Sequence, residues 1–152
     1  MTDQTEFATA ARKEWMGLLA RAPEDAVMEL WDMVPDHPAF DWLRSPEIGG
    51  VMVRGRTGGT GAPFNLGEMT VTRCSVVLKD GTVGHGYVQG RSKPKAQAAA
   101  LLDAMMQTSA AGRIRAKVID PLKQQISATK TTRAAKAAAT KVEFFTMVRG
   151  ED

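Results

Sequence analysis

The spacing of apolar residues changes twice along this chain, and that change constrains the fold more than any other feature. Between Phe40 and Gln89 the side chains alternate with a period near two, whereas before and after this segment they recur at helical spacing. Helices, then strands, then helices read as an α+β fold with an antiparallel meander, since parallel strands would need helical crossovers between them. About four strands are expected, packed with N-terminal and C-terminal helices, and the C-terminal strand or tail is expected to engage a partner. The 152 residues are expected to form one domain spanning 1–152.

The elements follow from local chemistry. Phe7 to Arg21 reads as an amphipathic helix carrying Trp15, Leu18 and Leu19. Pro23 opens a second helix at its first turn, with Glu24 and Asp25 at the positive end of the dipole. Pro35-Asp36-His37-Pro38 stops it. Phe40, Trp42 and Leu43 begin a short strand, and Ile48 to Arg56 continue as another. Thr70 to Leu78, rich in Val and Thr, is the clearest strand. Lys79-Asp80-Gly81-Thr82 predicts a hairpin of type I′, returning as Val83 to Gln89. The glycines at 84, 86 and 90 leave gaps for a closely packed neighbour. Helical spacing resumes at Pro94, breaks near Gly112, and restarts with Asp120 as cap and Pro121 at the first position. Ser127 to Lys141 is almost entirely Ala, Thr, Lys and Arg. Val142 to Arg149 is apolar to a degree out of place for a free terminus.

Composition excludes several functions. Twenty basic residues against 17 acidic ones give +3, too mild a surplus to imply nucleic acid unless it is concentrated on one face. The lone Cys74 excludes an intrachain disulfide, and no Cys/His set has metal-ligand spacing. The polar, acidic start is unlike a secretory signal. The most apolar stretch, Ala96 to Met106, is interrupted by Gln97 and Asp103 and is too short to span a bilayer. A soluble cytoplasmic protein is expected.

Candidate chemistry is sparse. Gly58-Gly59-Thr60-Gly61 could cradle an anion with Arg54, Arg56, Arg73 or Arg91 adding charge, but it has neither a Walker ending nor a dinucleotide fingerprint. A tight connection between strands is the plainer reading. His85, flanked by glycines, is a better candidate than His37, though a histidine without a positioned partner is a poor catalyst. Cys74 sits among strand formers and reads as a buried, inert thiol. Lys123, Lys130, Arg133, Lys136 and Lys141 make the last helix basic. A solvated face accounts for them more simply than nucleic-acid contact, which stands as the alternative. Phe144-Phe145-Thr146-Met147-Val148 either folds back as a core strand or anchors another chain.

Four blocks of residues resemble the PhnG family, a subunit of the bacterial carbon–phosphorus lyase core complex. They are Arg12-Lys13-Glu14-Trp15-Met16 with Leu19-Ala20; Gly58-Gly59-Thr60-Gly61 with Phe64, Gly67, Thr70, Thr72 and Arg73; Asp80-Gly81-Thr82 with Gly84, Val88, Gly90-Arg91, Ala96, Asp103-Ala104 and Met106-Gln107; and Phe144-Phe145-Thr146-Met147-Val148-Arg149-Gly150. The resemblance implies bacterial phosphonate catabolism, in a complex with PhnI, PhnH and PhnJ and with ABC-type ATPase-like subunits. It implies displacement of adenine from MgATP by methylphosphonate, giving α-D-ribose 1-methylphosphonate 5-triphosphate, with the nucleosidase-like chemistry in PhnI and the later radical cleavage in PhnJ. It implies no catalytic residue in this chain, which is expected to bind no cofactor by itself; MgATP would be the substrate of the whole complex. Where the family pattern carries an acidic residue and a histidine after the Gly-Arg pair, this chain has Ser92 and Lys95, so no acid–base role is placed there. Gly58, Gly59, Thr60, Gly61, Arg73, Arg91 and His85 are the candidates for substrate contact. Phe144, Phe145, Met147, Val148 and Arg149 are the candidates for the partner interface.

Overall fold

The structure, a computed structural model, describes the backbone of residues 2–56, 61 and 63–150 and the side chains of 8–55, 61 and 66–140. It is an α+β fold. Helices α1 (Thr2–Arg21) and α2 (Glu24–Asp32) precede strands β1 (Phe40–Arg56), β2 (Pro63–Leu78) and β3 (Val83–Gln89). Then follow α3 (Lys93–Met106), the short α4 (Ala111–Ile114), a π-helical turn over Arg115–Ile119, and α5 (Asp120–Gly150). The strands form one antiparallel sheet in the order β1-β2-β3.

Helix α3 occupies the centre. From Ala98 to Met106 every residue is buried, which is the signature of a helix surrounded by protein on all sides. Its alanines press on the inner face of the sheet, where β3 presents Gly84 and Gly86. A side chain at Gly84 would collide with the Ala100 carbonyl and the Ala104 backbone, and one at Gly86 with the Ala96 carbonyl. The two glycines therefore allow the helix to approach the strand, as their spacing in the sequence predicts. Thr72, Cys74 and Val76 of β2 complete that face, with Val88 of β3. Trp15, Leu18 and Leu19 of α1, Val27 and Trp31 of α2, and Ile114, Val118, Ile119 and Leu122 close the core around the other sides of α3.

Four sequence expectations need correction. The two strands predicted before the Gly-rich loop are one continuous strand; the resulting three-stranded antiparallel sheet still agrees roughly with the meander of about four strands that was expected. Register shifts between Trp42 and Arg44 and between Arg44 and Glu47 absorb the Ser45-Pro46 interruption, and Pro46 is tolerated because β1 is an edge strand that can lack an N–H donor. The hairpin after Leu78 is not type I′: only Gly81 has positive φ, at 92°. Gly81 N–H donates to Leu78 O at 3.0 Å and Leu78 N–H to Thr82 O at 2.9 Å, the pattern of a three-residue loop ending on a left-handed glycine. Gly112 lies inside α4. The break falls earlier, over 107–110, where the Thr108 hydroxyl bonds Met105 O (2.7 Å) and accepts from Ala110 N–H (3.2 Å). Finally, Asp120 starts no new helix after a loop. The wider π turn runs straight into it, directly ahead of Pro121, which brings no N–H to the helical ladder.

Two parts of the fold extend away from this core. Beyond the end of β3 at Gln89, paired with Val71, β1 and β2 continue as a two-stranded ribbon to the pair Arg56–Pro63. Helix α5 touches the core through Leu122 and Ile126, yet from Ser127 to Thr140 every residue is exposed. The segment after 141 is helical, not a strand.

Candidate functional site

The best-organised polar cluster surrounds Asp103, on the third turn of α3 and wholly buried. Its Oδ1 accepts from Arg12 Nε at 3.1 Å and Trp15 Nε1 at 2.8 Å. Its Oδ2 accepts from Arg12 Nη2 at 2.9 Å and from the backbone N–H of His85 at 2.8 Å. The bidentate pair raises the pKa of the Arg12 guanidinium, chiefly through the hydrogen bonds to Asp103. Four donors around one carboxylate satisfy a charge that would otherwise be expensive to bury. This ties α1, α3 and β3 together. Arg12 and Trp15 belong to the first of the sequence blocks, and Asp103 to the third. The carboxylate is saturated and shielded, so it serves architecture, not proton transfer.

That architecture positions His85. Its backbone N–H points to Asp103, so its partner across the sheet, Ser75, faces it as a non-hydrogen-bonded pair with close side chains. Ser75 Oγ and His85 Nδ1 lie 2.8 Å apart on the exposed face. A hydroxyl beside an imidazole has the spacing of a nucleophile and its base, but among the described residues no carboxylate holds the other ring nitrogen, and the pair is open to water. Sequence reasoning missed this pair. The hairpin register alone would have found it, since Val77 opposite Val83 puts Ser75 opposite His85. His37 has a structural role: its ring stacks on Trp31 at 3.8 Å and Nε2 meets Trp31 O at 2.9 Å.

The candidate substrate-contacting residues are spread along the sheet. Arg73 and His85 share its outer face, Arg73 lying between Glu47 of β1 and Tyr87 of β3. Arg91 lies just past β3, in a turn fixed by the Gly90 N–H to Thr70 O bond of 2.9 Å and by Gly90 at φ 95°. Gly61 forms a bend at the far end of the ribbon, whereas Gly58, Gly59 and Thr60 lie outside the described residues. Pro63 and Arg73 are ten positions apart on β2, about 33 Å at the usual strand rise. The chain thus gathers Arg73 and His85 on one face and does not bring Gly61 to them. Phe144, Phe145, Met147, Val148 and Arg149 fall on the last turns of α5; their side chains lie outside the described residues. Ile126, the last of the described side chains of α5 packed against the core, precedes Phe144 by 18 positions, about 27 Å of helix.

Cys74 Sγ donates to Ala96 O at 3.2 Å, and burial pushes its thiol up to about 11, which fits an inert side chain. Among the described residues no group of three or more His, Cys, Asp or Glu is arranged to hold a metal ion. No described helix is long and apolar enough to cross a membrane.

The family model "Phosphonate metabolism protein PhnG" matches residues 10–150. The chain belongs to the PhnG family. It is also 47% identical over 148 residues to the "Alpha-D-ribose 1-methylphosphonate 5-triphosphate synthase subunit PhnG" of Rhizobium meliloti (strain 1021), covering 97% of this chain and 94% of the relative. The match runs from α1 through α5, so it takes in both the Asp103 network and the protruding helix. Neither comparison supports the alternative of a nucleic-acid-binding module.

Proposed function

We propose that this protein is a non-autonomous subunit of α-D-ribose 1-methylphosphonate 5-triphosphate synthase in bacterial phosphonate catabolism, working in the cytoplasm. It docks most directly on PhnI, alongside PhnH and PhnJ and with ABC-type ATPase-like subunits. MgATP and methylphosphonate are substrates of the assembly, from which adenine is released. The chain supplies shape to a neighbour that performs the reaction. Arg73, His85 and Arg91, with the Gly58–Gly61 loop at the ribbon tip, are its candidates for contact with substrate held by the complex.

The observation that carries this reading is the unpacked course of α5. An amphipathic helix normally gains its stability by burying one face, yet every residue from Ser127 to Thr140 is exposed. A helix that leaves its own core and ends in Phe144-Phe145-Thr146-Met147-Val148 has the design of an anchor into another chain. Among the described residues, the best-organised carboxylate, Asp103, is saturated and sealed, and no carboxylate orients the Ser75–His85 pair.

The test is co-purification. Full-length protein is expected to bring down PhnI, and a chain ending at Lys141 is expected to fold but lose PhnI. Undiminished recovery of PhnI by the shortened chain would show that the anchor lies elsewhere.

A further inference from the structure

One cleft carries more positive charge than its own carboxylate balances. It lies where the end of α1, the start of α2 and the turn from β3 into α3 meet, and it encloses about 690 Å³. Arg21, Arg91, Lys93 and Lys95 line it, opposed by the single carboxylate of Glu24, with Ser92 between them. Glu24 Oε1 is already engaged by the Ser92 hydroxyl at 2.7 Å. We propose that this cleft binds the oligophosphate chain of a phosphorylated ribose or nucleoside.

Lys95 gives the strongest support. Only 3% of it is exposed, and its Nζ donates to Ala20 O at 3.2 Å, the one hydrogen bond that ammonium makes among the described residues. An ammonium has three donors, so two remain for a ligand. Burial lowers the pKa of this group, against the opposing charge of Glu24, and an anion entering the cleft restores what desolvation removed. Arg91 and Lys93 stand on backbone that is already fixed, by the Gly90 bond to Thr70 and by Ser92 capping α3 through the Lys95 N–H at 3.1 Å. Cations held in a concave site before the ligand arrives lose little freedom on binding.

The volume lies in the range of small-molecule sites, about 300–1,000 Å³. Three net positive charges in that space call for a ligand with several negative ones, and no aromatic side chain lines the cleft to stack a base. A polyphosphate satisfies both conditions. The assignment rests on the reading of this chain as part of a synthase whose product carries a 5-triphosphate. It adds Arg21, Lys93 and Lys95 to Arg91 and places substrate contact at the β3–α3 turn, apart from the ribbon tip.

The experiment is calorimetric titration of the full chain with inorganic tripolyphosphate at about 0.1 M salt, where exposed charges more than a Debye length apart are already screened. One saturable site is expected. Arg91→Glu with Lys93→Glu, both at exposed positions, is expected to weaken binding at least tenfold, and Lys95→Met to weaken it likewise. Lys130→Glu with Lys136→Glu on α5 is the control and is expected to stay within twofold of wild type. Absence of saturable binding, equal weakening by the control pair, or orthophosphate binding as tightly as tripolyphosphate would each overturn the assignment. Co-purification of PhnI with the Arg91→Glu/Lys93→Glu chain separates this proposal from the docking reading, because that pair is expected to leave recovery of PhnI unchanged.

Discussion

Replacing Asp103 by Asn keeps the shape of the side chain and removes only its charge and half of its acceptors. In wild type each oxygen accepts two bonds: Oδ1 from Arg12 Nε and Trp15 Nε1, Oδ2 from Arg12 Nη2 and the His85 N–H. An amide must put its NH2 at one of these places, and either place faces two donors. Both orientations therefore lose two bonds and set donor against donor. One of the two orphaned donors always belongs to Arg12, whose side chain is 33% exposed and can turn partly to water. The other, Trp15 Nε1 or His85 N–H, has no such escape. An unsatisfied buried donor costs about 1–3 kcal/mol, and loss of the partly buried charge pair adds to it, so the whole change comes to about 3 kcal/mol. Against a domain stability of about 5–15 kcal/mol that is a large fraction, and it corresponds to a fall in Tm of roughly 6–12 °C for a chain of this size. Urea unfolding followed by far-ultraviolet circular dichroism measures it without relying on Trp15 as reporter. Combining Asp103→Asn with Arg12→Gln is expected to cost less than the two single changes added together, because they share one interaction. A single Asp103→Asn variant within 0.5 kcal/mol of wild type, the limit for surface changes, would refute the account of how α1, α3 and β3 are held together.

Three further outcomes follow from the same structure. Gly86→Ala sets a methyl group against the Ala96 carbonyl, with Cys74 Sγ 3.1 Å away; overpacking of this kind costs about 1–3 kcal/mol, read as a lower urea midpoint, whereas Gly49→Ala meets nothing within 4 Å and is expected to change the midpoint far less. Burial raises the Cys74 thiol from 9.0 to about 11. A raised pKa in the folded state means that this contribution to stability is complete below pH 9 and lost as pH rises toward 11; Cys74→Ala is expected to flatten that part of the stability profile, and native Cys74 is expected to resist alkylation at pH 8. Ending the chain at Lys141 is expected to leave the unfolding midpoint of the core within error, since every residue from Ser127 to Thr140 is exposed.

Much of this fold was legible because the sequence states it locally. The change of period placed the helices and strands, Pro23 and the Pro35–Pro38 turn bounded α2, and Gly84 and Gly86 marked where a neighbour packs closely on β3, whereas Gly90, expected to do the same, meets nothing within 4 Å and serves the turn. What escaped depended on partners distant in sequence. Nothing near Ser45-Pro46 says that a strand can run through it; the register against β2 decides that. The type of turn at Asp80-Gly81 depends on one φ angle, and the propensity of Asp-Gly allows either. Asp103, read as an interruption of an apolar stretch, proved to be the residue on which Arg12, Trp15 and β3 converge, a relation across 91 positions for Arg12. Among the candidate contact residues, Arg73 and His85 could be placed on one face by register, but the distance of Gly61 from them became visible only once β1 and β2 were seen to continue past β3. The cationic cleft likewise joins Arg21 to Lys95, residues from opposite halves of the chain.

The central claim is that this polypeptide contributes by assembly and performs no chemistry alone. Adenine release from MgATP in the presence of methylphosphonate measures it most directly, with the purified chain by itself and with its partner subunits present or absent. The account predicts no release by the isolated chain, and release by the partners that depends on adding it. Steady turnover by the isolated chain would contradict that claim.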